Sequence, residues 1–245
     1  MLAVPGMYQI SFSDWPHLRK LDLSGNLLVR SFTAKDGDSV AVAISYLVQG
    51  DWPMLETLDL SFNRLSAQSM AHLKQGNWPF LKALLSRNCF LDAKGIEQLV
   101  AGRWCQLQTL DLKSNPKTDA SVMSHLRDSD WPVLQRLRLG MGMEPAAICY
   151  LTVGDWSNLQ DLELQKAHFS PGSSKSFSIA EWPQLARLQL YNCSLGIESF
   201  CWLVQADWPM LHQLGLTSTF LGAAGFEILR QLAGPCHYHP GGYWH

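Results

Sequence analysis

The residues best suited to chemistry lie together near the C-terminal end of the chain. Cys236, His237, His239 and His245 all fall within residues 234–245, and Cys and His are the usual ligands of zinc. Their spacing matches no closed zinc site, and the surrounding Pro and Gly residues are typical of a mobile terminus. We therefore predict a flexible tail at 234–245, with adventitious metal binding as the alternative, and we expect no cofactor.

The other candidates for catalysis form no recognisable constellation. Gly140 and Gly142 follow a predicted strand but lack the third glycine and the lysine of a phosphate-binding loop. No Ser or Cys nucleophile has a partner at a recognisable local spacing. The remaining histidines are scattered over different predicted faces, at His72, His125, His168 and His212. We predict that the chain is not an enzyme.

Composition narrows the class of partner and the compartment. Of 245 residues, 47% are hydrophobic and 16% are charged, and the formal net charge is -2. A protein that binds nucleic acid usually carries an excess of positive charge to contact the phosphates, and this chain has none. The sequence contains no run of about 18 apolar residues, so it predicts no membrane-spanning helix. The N-terminus does not resemble a signal peptide. The six cysteines are not spaced in the pairs that are typical of disulfide-bonded secreted proteins. We predict a cytoplasmic protein that binds no nucleic acid.

Eight tryptophans divide the chain into similar units. They recur every 25 to 27 residues after one longer interval of 37 residues, at Trp15, Trp52, Trp78, Trp104, Trp131, Trp156, Trp182 and Trp208. A fixed period of this length indicates stacked repeats. The longer first interval indicates an insertion, placed most simply at residues 29–39.

Each unit carries the pattern Leu-x-x-Leu-x-Leu, beginning three residues after its tryptophan. The second and third leucines are two residues apart, which predicts a short strand with both leucines on one side. Ser86 replaces the third leucine of one unit. One alternative is that the strand register shifts there by one residue, so that Leu85 takes the buried position of the missing leucine. Apolar residues at helical spacing follow, so each unit is predicted to be a strand, a turn and a helix.

Two further rows of residues predict how each unit turns. Eleven residues after tryptophan stand Asn26, Asn63, Cys89, Asn115, Gly142, Ala167, Cys193 and Thr219. An inward Asn side chain can satisfy backbone groups at the bend, so the units with Gly142 and Ala167 should be looser. Cys89 and Cys193 are expected to be buried and unreactive.

The tryptophan rings are predicted to fill the corner between a helix end and the next strand, with a binding ladder as the alternative. Gly50, Gly76, Gly102 and Gly154 precede four of the tryptophans. They suit left-handed residues that end a helix.

These residues together resemble the leucine-rich repeat family over roughly residues 15–233. Cys89 and Cys193 in the asparagine row look like the cysteine-containing class of F-box proteins, whereas the helical half looks like the ribonuclease-inhibitor and NOD-like receptor class. The resemblance implies an α/β solenoid, a right-handed horseshoe with a parallel sheet on its concave face and helices on its convex face. Residues 1–14 are predicted to be an incomplete repeat or cap, so other domains or chains are expected at the ends.

The family resemblance also implies that a protein partner binds the concave face. Outward positions of the predicted strands are acidic in the early units and more basic in the later ones. The predicted partner-binding residues are Asp22, Asp59, Leu85, Arg87, Asp111, Arg136, Arg138, Glu163, Arg187 and Tyr191. The alternative is that the charged residues of this set only face solvent and bind no partner.

The leading functional hypothesis is a non-catalytic scaffold for protein–protein interaction. One alternative is the ligand-sensing or substrate-receptor part of a NOD-like receptor or an F-box-type ubiquitin-ligase protein. A second is an accessory that activates a GTPase, as the Ran GTPase-activating protein of this fold does. That activity requires a functional arginine, for which Arg136 and Arg138 are nominal candidates.

Overall fold

The computed structural model describes residues 4–26, 36–115, 119–140, 142–219, 221 and 243–244. Most of the predicted insertion at 29–39 and most of the predicted tail at 234–245, with its Cys and His residues, lie outside this part. Most of the helix predicted for the second half of the last unit lies outside it as well. The domain boundaries 1–14, 15–233 and 234–245 therefore stay predictions.

Eight parallel strands, one from each unit, form the main sheet. They are β1 Lys20–Asp22, β2 Thr57–Asp59, β3 Ala83–Leu85, β4 Thr109–Asp111, β5 Arg136–Gly140, β6 Asp161–Gln165, β8 Arg187–Tyr191 and β10 Gln213–Gly215. Each strand pairs with the strand of the next unit, and β11 (Tyr243–Trp244) adds an antiparallel strand beside β10. Two short strands, β7 His168–Phe169 and β9 Ser194–Leu195, pair in a second sheet.

Eight helices alternate with these parallel strands in the described part of the chain. They are α1 Val4–Ser11, α2 Asp36–Leu47, α3 Ala67–Leu73, α4 Ala93–Val100, α5 Ala120–Arg127, α6 Pro145–Thr152, α7 Pro171–Ser178 and α8 Ile197–Leu203. Residues 36–39 of the predicted insertion lie in α2. Several helices begin at a side-chain cap, as at Ser66, Asp92 and Asp119, whose oxygens accept backbone N–H groups of the first turn.

The solenoid predicted from the repeats is confirmed. The second leucine of each unit pairs in register with that of the next, as Leu58 does with Leu84 and Leu137 with Leu162. These four leucines are fully buried. Parallel strands lie about 4.8 Å apart, whereas packed helices require 8 to 10 Å, so the coils curve with the sheet on the inner, concave side.

The unit with Ser86 keeps the common register, so the alternative of a one-residue shift is wrong. Asp59 pairs with Leu85, and Leu85 pairs with Asp111, as in every other coil. Ser86 is buried in the place of the missing leucine, and Leu85 keeps its outward position. The strand neighbours on both sides fix the register, which a single Ser substitution does not overcome.

The tryptophan row fills the corners of the coils, as predicted. Trp52 is fully buried and Trp182 is 2% exposed, whereas Trp15 at the start of the row is 41% exposed. The prediction of left-handed glycines before them is wrong, because these glycines do not have positive φ. A Cβ atom added at Gly50 would lie 2.4 Å from the ring of Trp52. The glycine is needed because the indole occupies the space of a side chain.

The asparagine row also bonds the backbone as predicted. The Nδ2 group of Asn63 donates to the carbonyl oxygens of Leu23 and Leu60, at 3.0 and 2.8 Å. Where Gly142 and Ala167 replace asparagine, backbone bonds supply part of the pairing, as between the N–H of Ser194 and the carbonyl oxygen of Ala167 at 2.8 Å. Whether these units are looser stays a prediction.

A third row, one residue earlier in the turn, has left-handed backbone in the seven coils whose residue at this position is described. Its members have φ between 50° and 67°, and they are Gly25, Phe62, Asn88, Ser114, Lys166, Asn192 and Ser218. Glycine and asparagine adopt this conformation readily, whereas a bulky side chain there is an outlier. Phe62 has φ 59° and is 50% exposed, so the fold itself gains little from its ring.

Replacing Phe62 with Asn should therefore stabilise the protein. Relief of the left-handed strain is expected to raise the free energy of unfolding by about 1 kcal/mol. The measurement is the urea midpoint of the variant against the natural chain. Phe80→Asn is the matched control, because Phe80 is 49% exposed without positive φ. A lower midpoint for Phe62→Asn would show that the ring packs more tightly than its exposure indicates.

Candidate functional site

The outward residues of the parallel strands form one continuous surface, here called the strand face. Its middle row runs across the sheet in register and consists of Asp22, Asp59, Leu85, Asp111, Arg138, Glu163, Gln189 and Gly215. The residues two positions before and after these complete the surface. In most strands the residue of the middle row stands between two leucines that point into the core. The sheet therefore holds the outward residues at a fixed spacing.

Four of the predicted partner-binding residues form a single ion-pair network at the centre of the strand face. Arg87 Nε lies 2.7 Å from Asp111 Oδ2, and an Nη atom of Arg138 lies 3.4 Å from the same oxygen. Arg138 Nε lies 3.5 Å from Glu163 Oε2, and Lys113 Nζ lies 2.7 Å from Glu163 Oε1. The network thus joins three cations and two carboxylates on strands β3 to β6 and the turns after them.

Asp111 is the buried centre of this network. Its side chain is 0% exposed, and the side chains of Arg87 and Arg138 are 37% and 28% exposed. The second oxygen of Asp111 accepts the backbone N–H of Lys113 at 3.1 Å. A buried carboxylate requires such partners, because desolvation penalises an unpaired charge.

The Asp111→Ala variant should lose about 2 kcal/mol of stability. Two arginines lose their buried partner, but both can rehydrate in part, so the loss falls below that of a fully buried pair. Chemical denaturation measures the change. Asp128→Ala removes an exposed pair with Arg127 and should leave the midpoint unchanged. Equal effects in both variants would contradict a central role for Asp111.

Arg187 and Arg136 lie outside this network. Arg187 pairs instead with Asp161 on the adjacent strand, where an Nη atom lies 3.1 Å from Asp161 Oδ2. Arg136 is exposed and forms no ion pair within the described residues. The predicted basic region is therefore mostly neutralised by carboxylates on neighbouring strands, and Arg136 is its most accessible cation.

The early acidic residues are held by their own turns. The hydroxyl and the backbone N–H of Ser24 donate to Asp22, at 2.7 and 3.0 Å, and these bonds lower the pKa of the Asp22 carboxyl. Asp59 accepts the backbone N–H of Ser61 at 2.9 Å. These two carboxylates are not joined to the central network by any ion pair in the described part of the structure.

Leu85 and Tyr191 complete the predicted set. Both are half-buried on the strand face, Leu85 between Asp59 and Asp111 and Tyr191 beside Gln165. The predicted set omitted Lys113 and Asp161, which the structure places in the two ion-pair groups. The sequence could have indicated both residues. Each stands at an outward position of its repeat, and a residue of opposite charge stands at an outward position one or two coils away.

The cysteines in the turn row are buried as predicted. Burial raises the pKa of the Cys89 thiol to about 12 and that of Cys193 to about 11. A thiolate is therefore disfavoured at both positions, and neither is suited to nucleophilic attack. Within the described ranges, no three His, Cys, Asp or Glu residues are grouped to hold a metal ion. In the same ranges, no helix has the length and apolar character needed to cross a bilayer.

The repeat matches a family model, and the fold matches solved structures. A family model described as Leucine Rich Repeat matches residues 54–75. The leucine-rich-repeat solenoid is thus the class that fold and repeat define together. No curated protein matches the chain.

Two solved structures share the fold. One is the complex of Rad7 and Elc1 in yeast, with 17% identity, a TM-score of 0.50, and coverage of 88% of this chain and 61% of the matched chain. The other is the mouse RP105/MD-1 complex, with 20% identity, a TM-score of 0.51, and coverage of 90% and 38%. The chain thus spans less than two thirds of either matched chain. Its fold is the leucine-rich-repeat solenoid, and its assignment to the cysteine-containing or ribonuclease-inhibitor-like class stays a prediction.

Proposed function

We propose that the chain is a non-catalytic scaffold that binds a protein partner on the concave strand face. The observation that carries this proposal is the central network of Arg87, Asp111, Arg138, Glu163 and Lys113. It presents charged groups at fixed spacing on a curved sheet, partly exposed and already ordered by one another. Ordered side chains lose less conformational entropy when a partner binds.

Exposed and half-exposed residues around the network supply the other parts of an interface. Arg136 offers a cation without an ion pair in the described structure, and Leu85 and Tyr191 offer apolar and aromatic surface. Arg and Tyr are enriched among the residues that contribute most to protein binding. The two matched structures are complexes of two proteins, which supports the same class of function.

The test begins with affinity purification of the intact chain from cell extract and mass spectrometry to name a partner. The purified partner is then titrated against the Arg136→Glu and Tyr191→Ala variants. We expect each variant to weaken binding about tenfold or more, because each removes a side chain of a type that contributes most to protein binding. Both side chains project from the sheet surface, so the fold should be retained.

The matched controls lie away from the strand face. Arg103→Glu makes the same charge change at an exposed residue that follows helix α4, and Val153→Ser changes an exposed apolar residue after α6. Both should bind the partner normally. Unchanged affinity in the strand-face variants, or loss in these controls, would overturn the proposal.

We also propose a cytoplasmic location. The five cysteines within the described ranges are unpaired thiols, which suits a reducing compartment. The two alternative functions, a receptor part of a larger signalling or ubiquitin-ligase protein and a GTPase-activating accessory, stay predictions. For the second, Arg136 is the more accessible of the two nominal arginines, since Arg138 is paired to two carboxylates.

A further inference from the structure

Two phenylalanines lie exposed where strands β2 and β3 turn away from the sheet. Phe62 is 50% exposed and Phe90 is 54% exposed. The backbone places their turns side by side, because the N–H of Phe62 donates to the carbonyl oxygen of Arg87 at 2.7 Å. The N–H of Leu65 likewise donates to the carbonyl oxygen of Cys89 at 2.9 Å. Both rings therefore belong to the same edge of the strand face, on adjacent coils.

The backbone of both phenylalanines is strained. Phe62 and Phe90 have φ 59° and 58°, a conformation that bulky residues rarely adopt. The equivalent turn position of Phe62 holds a glycine or a polar residue in six of the other seven coils and Met141 in the remaining one. The fold imposes left-handed backbone on the turn row of Phe62, so a bulky side chain there carries strain that glycine or asparagine would avoid. Residues held in such conformations cluster at functional positions in proteins, and half-exposed aromatic rings are frequent anchors of interfaces.

A cation lies beside these rings. Arg64 lies between them in sequence, is exposed, and has no ion pair in the described part of the chain. The side chain of Arg87 is 37% exposed beside its bond to Asp111. The nearby carboxylate of Asp92 is engaged as the cap of helix α4, where it accepts the N–H of Gly95 at 2.9 Å. Arg64 therefore lacks a carboxylate partner that a bound molecule could supply.

We propose that Phe62, Arg64, Arg87 and Phe90 form an aromatic edge that docks an acidic peptide segment of a protein partner. The segment carries an aliphatic or aromatic side chain that packs on the two rings, next to an Asp or Glu that pairs with Arg64. This inference rests on the proposed function and adds a second contact region, beside the strand face, with a defined partner chemistry.

The experiment uses a display library of random peptides panned against the intact chain. The selected peptides should share an Asp or Glu adjacent to an apolar residue. A synthetic peptide of that consensus is then titrated by fluorescence polarisation. Binding should weaken about tenfold or more in the double variant Phe62→Asn with Phe90→Asn, and also in Arg64→Glu. The double variant should melt at a higher temperature than the natural chain, since Asn suits left-handed backbone.

A higher melting temperature with weaker binding excludes unfolding as the cause. Phe80→Asn is the control, because it removes a ring of similar exposure elsewhere and should leave peptide binding unchanged. The inference would be overturned if no peptide is recovered, if the recovered peptides share basic instead of acidic residues, or if the double variant binds the peptide fully. If the Arg136→Glu and Tyr191→Ala variants lose peptide binding instead, the proposal for the strand face is supported and the proposal for the aromatic edge is overturned. If none of these variants changes peptide binding, both proposals are overturned.

Discussion

The Trp182→Ala variant should lose about 3 to 5 kcal/mol of stability, the largest effect expected in this chain. Trp182 is 2% exposed and stacks on Trp208 with ring centroids 5.9 Å apart. Phe177 meets the Trp182 ring edge-on at 4.9 Å and the Trp208 ring at 5.7 Å. Removing the Trp182 ring leaves a cavity beside the two remaining aromatic side chains, and the fixed coils cannot close it.

The loss should be local as well as large. In a solenoid each coil contacts only its neighbours, so amide hydrogen exchange should accelerate in α7, β8 and β10 while β2 and β3 stay protected. Trp15→Ala is the control, because Trp15 is 41% exposed at the end of the row and its removal should have a much smaller effect. Uniform acceleration along the chain would contradict nearest-neighbour stability.

Asn115→Ala should cost about 3 kcal/mol. The Asn115 side chain makes four hydrogen bonds to the backbone and is 4% exposed. Its Oδ1 accepts the N–H groups of Cys89 and Leu91 at 2.9 and 3.1 Å. Its Nδ2 donates to the carbonyl oxygens of Ser86 and Leu112 at 2.8 and 2.9 Å. The variant leaves these groups buried without their partners, and each such group is costly.

The matched control is Cys193→Ala, at the same position of a later coil. The Cys193 sulfur lies 3.6 and 3.5 Å from the carbonyl oxygens of Leu164 and Tyr191, and thiols are weak donors. This variant should cost about 1 kcal/mol or less. The test is the difference between the two denaturation midpoints. Similar losses would mean that the asparagine row stabilises through packing rather than through hydrogen bonds.

The coil architecture could be predicted because one strong pattern recurs. Leucines two residues apart define a strand whose inner side is buried, and repetition fixes the register, as the pairing of Leu58 with Leu84 shows. The roles of Trp52 and Asn63 follow from the same repetition. The prediction for the glycines before the tryptophans is wrong, because a helix-ending glycine and a glycine beneath a ring have the same sequence signal. Only the position of the ring distinguishes them.

The strand face was less predictable. The outward positions of Arg87, Asp111, Arg138 and Glu163 follow from strand alternation, but side-chain rotamers decide which of these charges pair. Arg136 and Arg138 therefore looked equivalent in the sequence, whereas only Arg138 forms ion pairs in the described structure. The aromatic edge was missed because Phe62 resembles an ordinary apolar residue until its turn position is compared with Gly25, Asn88 and Ser218 across the coils.

Site-specific photocrosslinking tests most directly whether the strand face is the binding surface. A benzophenone side chain is placed at Tyr191 on the strand face, or at Ile179, which is 72% exposed and follows helix α7. Each variant is irradiated in cells. The proposed function predicts a discrete covalent adduct with another protein from position 191 and none from position 179. An adduct from position 179 with none from position 191 would contradict it.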